Sequence, residues 1–473
     1  MAELAPRKAR KGDELLVQID SFDAKGRGVG TALDCRVRLR HAIPGETVRA
    51  RVLRRRRNEI DGVVLERIAP SPLSVSPPCE HFGSCGGCSF QDLEYAAQLD
   101  GKRLLVETAF ERIAGAVVEP VLPAPRTFAY RNKMEFAFGS RRWIHPSEPP
   151  AAPSGFALGL HAASLFHKVI DVRGCAIQSP AADRILAAAR EIAIEQELAP
   201  WDVYAHTGLL RYLVVRVAST TGETLVALVT SADAPEVVER FARALLARDL
   251  GITTLVHGVN SRPADTAITE RERVLFGPGW IREELGGVVF ALSASSFFQT
   301  NILAAEKLVA VVREAAELRG TEVVWDLYCG TGTLALSLAR SAREVVGFEI
   351  SAAAVADARR NAERNGIANA RFHLGDVIDG IAAAGNESAG SEAARPDVLL
   401  LDPPRSGLHP ALFPTLLALG APRIVYVSCN PSAAARDVEH FLAAGWRLGR
   451  VRPIDLFPHT PHVECVLGLA RDG

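Results

Sequence analysis

The sequence predicts an α/β protein in three parts: a small β-barrel over residues 1–70, a central α+β region over 71–292 and a doubly wound parallel sheet over 293–473. Three observations carry this reading. Short β segments broken by glycine crowd the first 70 residues, and strand-like alternation fills the middle of the chain. From residue 293 apolar strands alternate with helical stretches, which is the sequence form of parallel βαβ units. With 473 residues, and at about 100 to 200 residues per domain, the chain is long enough to bury three cores.

Composition narrows the class. Hydrophobic residues make up 48% and charged residues 23%, a balance that excludes disordered, collagenous and membrane-embedded chains. The opening MAELAPRKARKGDE has no apolar signal stretch, and nowhere is there an apolar run of about 18 residues, so a cytoplasmic protein is expected. The net charge of −1 hides an asymmetry, because residues 1–70 hold 16 Lys/Arg against 10 Asp/Glu. A basic module is attached to a mildly acidic body.

Taken in order, LLVQID, RGVGTAL, CRVRLR, TVRARVL and EIDGVVLERI are the barrel strands, with DAKGRG and IPGE as turns. The run Arg54–Arg57 suits phosphates, or equally a solvated edge. APSPLSVSPP, residues 69–78, is a linker, and residues 92–114 have helical spacing. Segments such as KMEFAF, RYLVVRVA and TLVALV read as strands, VVERFARALLAR as a helix, and HPSEPPAAPSG (145–155) as a loop or insertion. NESAGSEAAR (386–395) reads as a flexible surface insertion, and there is no internal repeat.

The strongest local signal is VVWDLYCGTGTLAL, residues 323–336. A buried strand ends at Asp326, Tyr328 follows, Gly330 and Gly332 turn the chain so that a ligand can approach the backbone, and a helix begins near Thr333. Glu349 closes the next strand, where a carboxylate can accept hydrogen bonds from both hydroxyls of a ribose. The glycine pattern is shorter than that of dinucleotide dehydrogenases and is more similar to that of class I S-adenosylmethionine methyltransferases. In that class Asp376, after the third strand, would lie near the adenine; it is equally well placed as a helix N-cap.

LLLDPPRSG (399–407) holds Asp402 at the carboxyl end of the fourth strand on a stiff proline turn. Amino-directed nucleic-acid methyltransferases carry a similar turn followed by an aromatic residue, and Arg405 in that place argues against nitrogen methylation. Cys429 follows another buried strand in YVSCNP, and Glu464 lies near a later one in HTPHVECV. A thiol at the mouth of such a sheet, with a carboxylate nearby, suggests covalent catalysis. Cys465 alternates with Glu464 and should face the core, and Cys329 is better explained by packing.

The remaining cysteines form Cys79-x5-Cys85-x2-Cys88, with Cys175 as a fourth thiolate. Four thiolates suit zinc or an iron–sulfur cluster, and spacing alone does not choose between them.

Together GRGVG, IPGE, the cysteine set, SFFQTN (296–301), DLYCGTGT, DPPRSG, SCNP and HVECV resemble the RNA 5-methyluridine methyltransferase family, in particular its 23S ribosomal branch. The resemblance implies a TRAM barrel, a [4Fe-4S] cluster rather than zinc, S-adenosyl-L-methionine as cofactor, and RNA, namely 23S rRNA, as partner. It also implies that the helix over 92–114, after the cysteine set, packs on the C-terminal domain, and since one chain can contain all these parts a monomer with no membrane or obligate protein partner is expected. It makes Cys429 the nucleophile and Glu464 the base, and gives cofactor contacts to Gln299, Tyr328, Glu349 and Asp402, with Thr333 where some relatives have Asn. Phe298 is a candidate to stack on a flipped base, or a core aromatic. The chemistry is consistent with the residues: C5 of uracil is a poor nucleophile until a thiolate adds at C6, and the C5 proton must later be removed by a base. The alternatives are a tRNA uridine-C5 enzyme, an amino-group RNA methyltransferase, and a non-catalytic RNA-binding assembly factor.

Overall fold

The N-terminal alternation closes on itself. In the computed structural model, which describes residues 8–145, 148–149, 151–163, 165–381 and 395–471, strands β1 (Glu14–Phe22), β2 (Gly28–Ala32), β3 (Cys35–Arg40), β4 (Thr47–Arg56) and β5 (Glu59–Ala69) form a closed barrel. Every second side chain points inward, and Val17, Ile19, Val37, Leu39, Val48, Val52 and Ile60 make a core of its own. Arg54–Arg56 end β4, outside that core, and Arg57 turns into β5 with φ 51°. The barrel is not free of the body: Phe22 packs on Phe90 with ring centroids 4.3 Å apart.

The next elements leave the chain's linear order. Helix α1 (Tyr95–Phe110) and strand β6 (Val117–Val118) lie in the first third of the sequence, but they pack on the C-terminal sheet. Val106, Phe110 and Ile113 are buried among Trp325, Phe441 and Trp446, and burying each such side chain contributes roughly 1.5–3 kcal/mol.

The middle of the chain forms a seven-stranded sheet from β7 (Lys133–Gly139), β8 (Ala157–Ala162), β9 (Leu165–Asp171), β10 (Leu210–Val217), β11 (Thr224–Thr230), β12 (Thr254–Val259) and β13 (Arg271–Phe276), in the order β13-β12-β11-β10-β7-β8-β9. Helices α2 (Pro180–Glu195) and α3 (Pro235–Leu246) bury one face. The other face shares a core with the hairpin β14 (Ile281–Leu285) and β15 (Val288–Leu292) and with the C-terminal region. Burial on both faces is why β10 and β11 read as continuous apolar runs.

The last part alternates as its sequence indicates: α4 (Ile302–Ala316), β16 (Val323–Asp326), α5 (Thr333–Ala339), β17 (Glu344–Glu349), α6 (Ala352–Arg364), β18 (Ala370–Leu374), β19 (Val398–Leu401), α7 (Leu412–Leu419), β20 (Arg423–Ser428), α8 (Pro431–Ala443), β21 (Trp446–Ile454) and β22 (Glu464–Arg471). The sheet order is β18-β17-β16-β19-β20-β22-β21-β6. Its first five strands are parallel, and β22 enters antiparallel between β20 and β21. The insertion expected at 386–395 lies, up to residue 394, outside the described residues. No helix among the described residues is long and apolar enough to cross a membrane.

Candidate active site

Four neighbouring parallel strands end on one edge of the C-terminal sheet, where ligands bind in open α/β folds. That edge carries Asp326 at the end of β16, Glu349 at the end of β17, Asp402 just past β19 and Cys429 just past β20. All four line one cavity of about 790 Å³, together with Gln299, Tyr328, Gly330, Thr333, Arg405, Phe457 and Glu464.

The glycine turn builds one wall. Gly330 (φ 53°) and Gly332 (φ 83°) adopt left-handed backbone, and Gly332 caps α5. Glu349 braces the turn by accepting from Gly330 N at 3.1 Å and Ser351 N at 2.8 Å. Asp326 lies beneath, buried, with Oδ2 unpartnered among the described residues. Burial, with Asp402 and Glu349 nearby, pushes its carboxyl up to about 8, because a low-dielectric site disfavours the charged form. Burial likewise raises Tyr328 to about 12 and Asp402 to about 7.

The opposite wall comes from the loop before α4. Arg216, buried in β10, donates to Ser296 O at 2.6 Å, and Asn132 Nδ2 donates to Gln299 O at 3.1 Å. The central sheet thus holds Gln299 in place. Phe298 is buried and packs on Phe290, with centroids 5.0 Å apart. Of the two readings open for it, the structure selects the core aromatic, while Phe297, 79% exposed, is the ring at the cavity rim.

SCNP explains itself locally. Asn430 caps α8 by accepting from Ala433 N, and Pro431 occupies the first helical turn, where a missing N–H costs nothing. Asn430 Nδ2 also donates to Arg405 O at 2.8 Å. Cys429 is therefore fixed at a strand-to-helix junction tied to the Asp402 turn. Ser428 pairs with Cys465 in the β20–β22 register, so the preceding residue of β22, Glu464, lies across from Cys429. Cys465 is buried in the core. Burial and Glu464 raise the Cys429 thiol, and Arg405, which hydrogen-bonds it, opposes them. Burial and Asp402 push Glu464 up to about 8, again against Arg405. Cys429 and Arg405 also line a second opening of about 520 Å³ that is walled by Arg27, Arg36 and Arg38 of the barrel.

Two residues expected at the cofactor do not line the cavity. Gly332 acts through the turn, and exposed Asp376 accepts from Ile378 N at 2.9 Å, capping a short helical turn. Sequence reasoning missed Arg405 as a partner of the thiol, as well as Phe297 and Phe457. Only Arg405 left a signal, its place in the turn that carries Asp402.

Cys79, Cys85, Cys88 and Cys175 line a separate cavity of about 460 Å³, which shares Ser296 and Phe297 with the first. Burial pushes Cys88 up to about 12 and Cys175 to about 11, and the neighbouring cysteines add to both shifts. Among the described residues no three His, Cys, Asp or Glu gather as ligands of one metal ion.

A mostly parallel sheet with a glycine turn after β16 and an acid closing its neighbour β17 is an α/β nucleotide-cofactor site. Residues 267–472 match the family model described as tRNA (Uracil-5-)-methyltransferase. The chain is 37% identical over 462 residues to an RNA methyltransferase of Caldanaerobacter subterraneus subsp. tengcongensis, covering 96% of this chain and 98% of that one. It is 37% identical over 475 residues to an RNA methyltransferase of Chlorobaculum tepidum, covering 98% and 97%. The solved tRNA (uracil-54, C5)-methyltransferase of Pyrococcus abyssi, in complex with S-adenosyl-L-homocysteine, is similar with TM-score 0.74 and 28% identity, over 96% of this chain and all of that one. The chain belongs to the tRNA (uracil-5-)-methyltransferase family of RNA methyltransferases.

Proposed function

We propose that this protein methylates C5 of a uridine in folded 23S rRNA with S-adenosyl-L-methionine, through a transient bond between Cys429 and C6 of the base. The observation that supports it best is that Cys429 and Glu464 face each other across one strand register in the cavity that also contains the glycine turn. A cationic cofactor bearing ribose hydroxyls suits this donor set: Glu349 accepts hydroxyls, the unpartnered Asp326 oxygen lies below, and Gln299, Tyr328, Gly330, Thr333 and Asp402 complete the wall. Gly332 contributes by shaping the turn, and Asp376 through its charge near Tyr328. When bound, the sulfonium supplies an electrophilic methyl group.

The protein's residues do the rest. Arg405 favours the Cys429 thiolate, Sγ bonds to C6, and the displaced electron pair makes C5 nucleophilic. After C5 is alkylated, Glu464 removes its proton, the ring double bond re-forms and the C6–S bond breaks. The second opening, lined by barrel arginines, leads the flipped base to Cys429. Cys79, Cys85, Cys88 and Cys175 hold a [4Fe-4S] cluster, the group the family resemblance implies: all four thiols line one cavity, one for each iron.

Likeness to the Pyrococcus abyssi tRNA enzyme favours a second reading, with tRNA as substrate. Transcripts of 23S rRNA segments and of tRNA, incubated with labelled cofactor, separate the two. Glu464→Gln should accumulate an RNA-linked band on a denaturing gel and Cys429→Ala should form none. Full turnover by Cys429→Ala would remove the thiol from the reaction.

A further inference from the structure

The edge of the central sheet carries an aromatic patch that neither site cavity uses. Residues 141–143 run beside β9: Arg142 bridges Val169, Trp143 N donates to Val169 O at 2.7 Å, and Val169 N donates to Arg141 O at 3.1 Å. Side chains alternate along both segments, so Arg141 and Trp143 share a face with Phe166 and Lys168. On that face Lys168 Nζ lies 5.6 Å from the Trp143 ring centroid. Arg141 Cζ lies 4.5 Å from the Tyr204 centroid, and Tyr204 stands 6.3 Å from Phe166.

These rings are held in water rather than hidden from it. Phe166 is 65% exposed and Tyr204 51%. Asp202 fixes the loop that presents Tyr204: Oδ1 accepts from Tyr204 N at 2.9 Å and Ala205 N at 2.8 Å, and Oδ2 accepts from Ser140 Oγ at 2.7 Å. Its carboxylate thus takes internal donors and also lies 3.6 Å from Arg141 Nε, which orients that guanidinium beside Tyr204, and the carboxylate of Asp265 accepts from Tyr212 and faces His161. Lys168 makes no ion pair among the described residues. The crevice between Phe166 and Trp201 measures about 10 Å³, no more than one water needs. A protruding side chain cannot enter it, whereas a flat ring can lie across it.

We propose that Phe166 and Tyr204 form a stacking platform for an unpaired RNA base, with Arg141 and Lys168 receiving the adjoining phosphates. This rests on the reading of RNA as substrate. The β8–β9 hairpin that carries Phe166 also bridges Cys85 through Ala162, so the platform extends the surface of the cysteine loop.

The test is fluorescence anisotropy of the full-length protein with a labelled single-stranded RNA oligonucleotide, without methyl donor. Phe166→Ala/Tyr204→Ala should weaken binding roughly tenfold or more, Phe166→Trp should retain it, and all variants should keep the wild-type melting temperature. Equal binding by wild type and the double alanine variant overturns the platform alone, whereas no binding by the wild type overturns the RNA reading itself. If light scattering shows that the double variant turns a dimer into a monomer, the face joins copies of the chain and the platform falls.

Discussion

Lys102 Nζ lies 2.6 Å from Asp455 Oδ1, and neither side chain reaches solvent. Tyr95 OH donates to the other Asp455 oxygen at 2.9 Å, and Lys102 also donates to Phe457 O at 3.0 Å. Helix α1 thereby pins the loop that places Phe457 in the cavity and leads to Glu464. Breaking a buried pair strands a charge at a cost of about 3–5 kcal/mol. Lys102→Met is expected to lower the calorimetric melting temperature and to reduce turnover. The double variant Lys102→Met/Asp455→Leu should regain stability but not full turnover, because the loop loses its hydrogen bonds to Asp455.

Much of this site is legible in the sequence wherever the signal is local. The turn at Gly330 and Gly332, Glu349 closing the next strand, and Asn430-Pro431 starting a helix are each set by neighbours within one strand–turn–helix unit. What was not legible depends on long-range pairing. The docking of α1 on the C-terminal sheet joins residues 353 apart, as in the Lys102–Asp455 pair; no periodicity records a partner at that distance, and only the family resemblance implied where this helix packs. The choice between Phe297 and Phe298 depends on which side of a loop faces Phe290.

Stability and cofactor affinity should respond to pH in opposite ways. Folding raises Asp326 and Glu464 to about 8 and Asp402 to about 7, above the 3.8 and 4.5 of free carboxyls. The native state therefore holds protons that the unfolded chain releases, so this stability is full below about pH 4 and is lost progressively as pH rises to the folded values of about 7 to 8. A bound cation stabilises the ionised carboxylates. Affinity for S-adenosyl-L-methionine is expected to increase from about pH 6 to about pH 9, by at most roughly tenfold per pH unit for one proton released. S-adenosyl-L-homocysteine, which lacks the sulfonium charge, should show a smaller dependence. Calorimetry in buffers of different ionisation enthalpy measures the proton directly, and identical pH profiles for the two ligands would refute the account.

Gly407 closes the turn that holds Asp402 and Arg405, with φ 83° and its N–H donating to Pro404 O at 2.8 Å. A Cβ there would lie 2.5 Å from Asp437 Oδ2, an oxygen already accepting from Leu408 N and Tyr426 OH at 2.7 Å each. Left-handed backbone alone costs alanine about 1–2 kcal/mol. Gly407→Ala should therefore destabilise the protein by about 2 kcal/mol or more and lower turnover further than binding of cofactor, since Arg405 and Cys429 move apart while Glu349 is untouched. Equal losses in both would show that the whole sheet edge has shifted.

The cysteine cavity shares Phe297 and Ser296 with the main cavity, and Ser89 and Phe90, just after Cys88, both donate to His459 O, at 2.7 and 3.1 Å. A group held by these thiolates would therefore brace the same loop that Lys102 holds. Protein purified without oxygen is expected to carry about four irons and four sulfides per chain, and Cys88→Ser should lose most of the iron. Because His459 precedes Glu464 by one short loop, iron loss should also slow release of the RNA adduct. Stoichiometric zinc without iron would overturn the cluster, and unchanged adduct release in iron-free protein would separate the two sites.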